Sequence, residues 1–209
     1  MVRLLAIDLS GVLTIEADVS PFDFLGSKGL SKNNALRIMT QLFDGQQLWD
    51  RVEKGELSMD DFSNQVALWI NNLGGGCLPS EAMYFWGNPD PFLGGLGVRK
   101  ELLNILPKLA RKYDLALCTN NVREWRTSWQ SLIPINAFKY IFDSSEMGVR
   151  KPELEYFDKV EKVSACSGSD ILFIDDRCEN VVAAENFKSW QTVHFTSTEA
   201  LLEKIRRIR

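Results

Sequence analysis

The sequence predicts an α/β protein: a Rossmann-like parallel sheet with helices on both faces, plus a small helical cap inserted after the first strand. Three observations predict it. Five short apolar runs, at 2–9, 115–118, 140–142, 171–174 and 192–195, each give way to polar residues on their C-terminal side. Helix-like stretches at 99–112, 124–132, 152–163 and 179–187 separate the later runs. The segment 15–86 offers amphipathic patterns but no convincing strand. Short runs rich in Val, Ile, Leu and Phe suit strands buried on both faces, and alternation of strand with helix argues for a parallel sheet.

In chain order, the first run reaches Asp8 too early for a signal peptide. The cap patterns follow, at 32–43 and 46–54, and a third opens at Ser58 and carries Phe62, Val66, Trp69 and Ile70 down one face. Ser58, with Asp61 three residues on, reads as an N-cap followed by an acidic first turn. The run Asn71-Asn72-Leu73-Gly74-Gly75-Gly76 follows a helical pattern with no strand leading in, so it reads as a helix stop and not a phosphate cradle. Gly94-Gly95-Leu96-Gly97 lacks the third glycine of a dinucleotide fingerprint. In 152–163, Leu154, Phe157 and Val160 recur every third position, and Arg206, Arg207 and Arg209 complement the end of a last helix. The expected division is a core from 1–14 and 88–209 and a cap from 15–87.

The 209 residues suffice for one core with a smaller insertion. Lysine and arginine number 24 against 28 acidic residues, a net charge of −4. No basic surplus follows a phosphate backbone, which argues against nucleic acid as a partner. No apolar run is long enough to span a bilayer, so a soluble, cytoplasmic protein without a membrane partner is expected, as monomer or homodimer. Cys77, Cys118, Cys166 and Cys178 lie far apart with no Cys-x-x-Cys pair, which points to reduced thiols and not to a disulfide framework or structural zinc.

Ligands of an open α/β sheet bind at the carboxyl ends of its strands. There stand Asp8 and Ser10 after the first run, Thr119 and Asn120 after the second, and Asp175 and Asp176 after the fourth. Crowded carboxylates repel and are costly to desolvate, and a divalent oxygen-loving cation such as Mg²⁺ relieves both. Lys151, before Pro152, adds a positive charge from the loop after the third strand. Metal, lysine and short neutral hydrogen-bonding groups together suit a phosphoryl group, with Asp8 as the candidate nucleophile.

In sequence order, Asp8-Leu9-Ser10-Gly11-Val12-Leu13-Thr14, Leu117-Cys118-Thr119-Asn120-Asn121, Val149-Arg150-Lys151-Pro152 and Phe173-Ile174-Asp175-Asp176 resemble the four motifs of the haloacid dehalogenase superfamily. Three further stretches, at 53–58, 120–123 and 144–153, resemble the branch that holds bacterial α-glucose-1-phosphate phosphatase and the phosphatase domain of soluble epoxide hydrolase. The resemblance implies hydrolysis of a small phosphorylated metabolite through a phosphoaspartate at Asp8. It implies Mg²⁺ held by Asp8, the Ser10 carbonyl, Asp176 and Asp175. Thr119 and Asn120 would hold the phosphoryl group, Lys151 would neutralise it, and the cap would select the substrate.

The sequence departs from the superfamily at Ser10, where most of its phosphatases carry an aspartate that protonates the leaving group. Such a loss costs ~10²–10⁴ in rate. Three readings follow: a phosphatase working on good leaving groups such as a sugar 1-phosphate, non-phosphatase chemistry such as dehalogenation, or a binding or regulatory protein on the same fold. Around the site, Arg123 either contacts substrate or pairs with Glu124 or Glu179, and Trp125 is the tryptophan nominated to face the cleft. Trp49, Trp69 and Trp86 read as cap core. His194, the one histidine, reads as a core or strand-end residue, Cys118 as strand packing, and Cys178 as either a reactive thiol or a buried first-turn residue.

Overall fold

The computed structural model describes residues 1–17, 19–43, 48–89, 95 and 97–207. Five parallel strands form one sheet: β1 (Leu4–Ile7), β2 (Asp114–Thr119), β3 (Tyr140–Asp143), β4 (Ile171–Asp175) and β5 (Gln191–His194), in the order β3-β2-β1-β4-β5. β1 is central, with Ile7 level with Leu117 on one side and Ile174 on the other. The chain therefore moves outward in both directions from β1, which opens a crevice beyond its C-terminal end.

Side-chain alternation divides the core. Leu5, Ile7, Leu115, Leu117, Leu172 and Ile174 face one layer, where Leu102, Leu106 and Leu109 of the helix Lys100–Leu109 and Leu201 of the helix Thr198–Arg207 cover them. Leu4, Ala6, Ala116, Cys118, Ile171 and Phe173 face the other, under Tyr156, Phe157 and Val160 of the helix Leu154–Ser164 and Ala183 and Ala184 of the helix Cys178–Lys188. Burial on both faces explains why the strands read as continuous apolar runs; each buried leucine or isoleucine contributes about 1.5–3 kcal/mol.

Between β1 and β2 the described residues form helices α1 (Pro21–Ser27), α2 (Lys32–Phe43), α3 (Leu48–Glu53), α4 (Met59–Asn72) and α5 (Pro79–Trp86), before the core helix Lys100–Leu109. Ser58 caps α4 as its spacing predicts, accepting from the Asp61 amide at 3.1 Å. α4 stops at Asn72, and Gly74 turns the chain at a φ of +86°. α1 and α5 went unread, although each starts with proline in its first turn, and Ser20 caps α1. Residues 94 and 96 of the Gly94-Gly95-Leu96-Gly97 run, residues 46 and 47 of the second cap pattern, and Arg209 lie outside the described residues.

The helical segment has an aromatic centre. Trp49 meets Phe62 at 5.4 Å and Trp86 at 5.9 Å between ring centroids, and Phe62 meets Trp86 at 5.7 Å. Trp125, from the short 3-10 turn Arg123–Trp125 after β2, joins the cluster at 5.8 Å from Trp49 and donates its ring N–H to the Gly87 carbonyl at 3.0 Å. Polar ties reinforce this seam. Arg150 pairs with Asp50 and, at 2.7 Å, with Glu53; Lys54 reaches Glu153 at 3.3 Å; and the Ser144 hydroxyl donates to the Glu53 carbonyl at 2.6 Å.

Candidate active site

Beyond the end of β1 lies a cavity of about 400 Å³. Asp8, Ser10, Asn120, Lys151, Asp176, Arg177 and Asn180 line it from the sheet side, and Glu16, Trp49, Glu53 and Trp125 complete the wall. Parallel strands ending together deliver Asp8 and Asp175 side by side, since Ile7 and Ile174 are in register.

At the floor sits Lys151, 1% exposed. Its Nζ lies 3.0 Å from Asp8 Oδ1 and 2.6 Å from Asp175 Oδ2, and donates to the Cys118 carbonyl at 2.8 Å. Burial opposes the ammonium charge, yet the carboxylates of Asp175 and Asp8 outweigh it and raise the lysine above its ordinary pKa. Asp8 is pushed well up by burial; Lys151 draws it back, and Asp175 and Asp176 add to the rise. The hydrogen bonds to Asp8 from the Leu9 amide and from Lys151 both fall on Oδ1, which leaves Oδ2 the less engaged oxygen.

Asp175 is fully buried and saturated. Oδ1 accepts from the Arg177 amide at 2.9 Å and from Asn180 at 3.0 Å, while Oδ2 takes Lys151 and a second Asn180 contact at 3.1 Å. Asp176 instead turns its carboxylate to the cavity, where burial and Asp175 raise its pKa. Ligand atoms of Asp8, Asp175 and Asp176 all lie within 4.8 Å of one another. Three carboxylates meet one ammonium here, so a divalent cation would meet a formal surplus of negative charge.

Gly11 fits this cluster for a reason of space. Its φ is +76°, and a Cβ there would stand 2.2 Å from Asp176 Oδ2. Only glycine lets the turn after Asp8 pass so close beneath the carboxylate. The oxygen donors, their spacing and this turn suit Mg²⁺.

The predicted phosphoryl holders are arranged differently from one another. Asn120 lines the cavity, but its amide clasps the Lys151 backbone, donating to the carbonyl at 2.8 Å and accepting from the N–H at 2.9 Å. Thr119 is fully buried below the cavity wall, its hydroxyl donating to the Asn120 carbonyl at 3.3 Å and accepting from Asn121 at 3.4 Å. Both brace the floor. Ser10 and Trp125 line the cavity, and Arg123 does not: its guanidinium donates to the Ser145 carbonyl at 3.2 Å, away from both nominated acids. Glu124 accepts instead from the Met59 amide at 3.0 Å, at the start of α4.

Four wall residues escaped the sequence reading. Trp49, assigned to the cap core, reaches the cavity, and its ring N–H donates to Glu53 at 2.9 Å. Glu53 is buried, its pKa raised by burial and held back by Arg150 and Trp49. Asn180 sits on the first turn of its helix, where a buried amide has no periodic signature. Glu16 lies just past the first motif with no neighbouring pattern to mark it. His194 is an exposed strand-end residue of β5 and not a core one, its Nε2 2.9 Å from the Asp176 carbonyl oxygen. Cys118 is buried in β2 with its thiol pushed up to about 12 by burial, and Cys178 is exposed.

No protein-family model matches the chain. A curated relative, the sesquiterpene phosphatase astK of Aspergillus oryzae, is 27% identical over 172 residues, covering 78% of this chain and 79% of the relative. A HAD-like family hydrolase of Porphyromonas gingivalis superposes with a TM-score of 0.74 at 20% identity, covering 100% of both chains. A HAD family enzyme of Bacteroides thetaiotaomicron, solved with magnesium and inorganic phosphate, gives 0.75 at 22% identity over 99% of this chain and 100% of that one. The chain has the fold of the haloacid dehalogenase-like hydrolases, as its four motifs imply.

Proposed function

We propose that this protein is a Mg²⁺-dependent phosphatase acting on a small phosphomonoester through a phosphoaspartate at Asp8. The observation that carries the reading is the buried Lys151, shared between Asp8 and Asp175 while Asp8 Oδ2 is left uncommitted beside the acidic cluster. A structural ion pair needs one carboxylate; a lysine held between two, with Asp176 beside them, leaves a surplus of negative charge that suits a divalent cation, and cation and ammonium together suit a phosphoryl group. The relative named as a phosphatase and the neighbour holding magnesium and phosphate support the same chemistry.

Asp8, the Ser10 carbonyl and Asp176 would hold the cation, with Asp175 completing the cluster and anchoring Lys151. Bound Mg²⁺ would neutralise phosphoryl charge and lower the pKa of Asp8. Asp8 Oδ2 attacks phosphorus in line, the bond to the leaving alcohol oxygen breaks, and water later cleaves the acyl phosphate. Lys151 balances charge on the transferring group, and Asn120 fixes the Lys151 backbone so that the ammonium stays on target. The helices of 15–87 form a cap whose Trp49, with Trp125, offers an aromatic wall to the organic part of the substrate.

Phosphate release tests this, with and without Mg²⁺, on esters graded by leaving group and including glucose 1-phosphate and a sesquiterpenyl phosphate. Metal-dependent turnover is expected, greatest where the organic part packs on the tryptophans. Metal binding without turnover on any ester would replace the enzyme reading with a binding role.

A further inference from the structure

Ser10 leaves the site without a carboxylic acid at its usual position, yet the cavity holds carboxylates besides Asp8. Each of them can be assigned from its partners. Asp176 belongs to the acidic cluster. Glu53 is buried and committed to Trp49 and Arg150. Glu16 remains: it lines the same cavity, and its carboxylate makes no hydrogen bond or salt bridge among the described residues. Glu16 is exposed, and the Arg177 guanidinium nearby pairs with Glu179 at 2.9 Å.

Its backbone is well placed. Thr14 bridges Val98, and the Ile15 amide donates to the Gly97 carbonyl at 2.9 Å, so the segment carrying Glu16 is pinned as it leaves the first motif. It lines the cavity that Asp8 and Lys151 also line.

We propose that Glu16 is the general acid and base of this site, in place of the missing aspartate at position 10. The proposal rests on the phosphatase reading. As Asp8 Oδ2 forms its bond to phosphorus and the bond to the leaving oxygen breaks, the proton on Glu16 passes to that oxygen, and the product departs as an alcohol. The resulting carboxylate takes a proton from the water whose oxygen attacks the phosphoaspartate. That step breaks the bond between Asp8 and phosphorus, releases inorganic phosphate and restores the Glu16 carboxyl.

The experiment is a leaving-group comparison with Mg²⁺ present, using p-nitrophenyl phosphate, whose phenolate leaves without help, and glucose 1-phosphate and glycerol phosphate, which are poorer leavers. Glu16→Gln is expected to slow first-turnover alcohol release from glycerol phosphate by about 10²-fold or more while changing first-turnover p-nitrophenol release by less than about threefold, with steady-state turnover of every ester falling as phosphoaspartate hydrolysis loses its base. Glu16→Asp recovers part of the loss, and Ser10→Asp placed in the Glu16→Gln background restores the slow ester. Equal losses of first-turnover release from all esters, or none, with an unchanged thermal midpoint, would overturn the assignment of Glu16 and leave the phosphatase reading standing. No release by the wild-type protein from any of the three overturns both.

Discussion

The two walls of the cavity differ in how they are built. The sheet side is a closed polar lattice: Lys151, Asp8, Asp175, Asn180, Asn120 and the Cys118 carbonyl satisfy one another within about 3 Å. The opposite side is drawn from loop and helix, an aromatic surface of Trp49 and Trp125 with Glu53 tied to Arg150 and Glu16 untied. In the proposed reaction the first arrangement would fix charges around the reacting atoms, and the second would shape space around whatever the phosphoryl group carries. Damage to the sheet wall should therefore abolish chemistry or folding, while damage to the other should retune it.

The largest effect belongs to the proposed nucleophile. Asp8→Asn keeps the shape of the side chain and is expected to cut phosphate release at least ~10⁴-fold with the fold intact by circular dichroism. Next is Lys151→Met, which leaves two buried carboxylates facing each other without a cation. A loss of about 3–5 kcal/mol in urea-melt stability is expected, part of it recovered by Mg²⁺. A stability change below about 1 kcal/mol would show that the lattice is less interdependent than its distances suggest.

Gly11→Ala sits at the join between the two walls. A positive φ and a Cβ 2.2 Å from Asp176 Oδ2 predict about 1–3 kcal/mol of destabilisation and a weaker Mg²⁺ titration. Smallest is Trp49→Ala on the aromatic wall. It is expected to raise KM for bulky esters about tenfold, the equivalent of ~1.4 kcal/mol, with kcat on p-nitrophenyl phosphate nearly unchanged. A matching fall in kcat on every ester would place Trp49 in positioning the reacting groups and erase the contrast between the walls.

Legibility in the sequence follows the same division. Strands buried on both faces announce themselves as apolar runs, and their polar C-terminal neighbours are brought together by parallel register, so Asp8, Asp175 and Asp176 could be nominated one strand end at a time, and Lys151 from the loop after β3. Asn120 and Thr119 were legible as position but not as task, because which partner a short polar side chain selects depends on the loop that packs over it. The far wall was mostly unreadable. Trp49 lies on a helix whose aromatic face serves both core and cavity, and periodicity reports burial without saying against what. Glu16 and Asn180 carry no repeat or spacing at all; only the folded chain brings them to the cavity.

The central claim is a covalent step at Asp8, and acid quenching reads it most directly. The protein is mixed with Mg²⁺ and a turnover-competent phosphate ester, stopped in acid where acyl phosphates survive, digested and examined by mass spectrometry. A phosphoryl group on the peptide containing Asp8, absent in Asp8→Asn and absent when the metal is chelated, is the predicted result. Sustained phosphate release by Asp8→Asn under the same conditions would contradict the account.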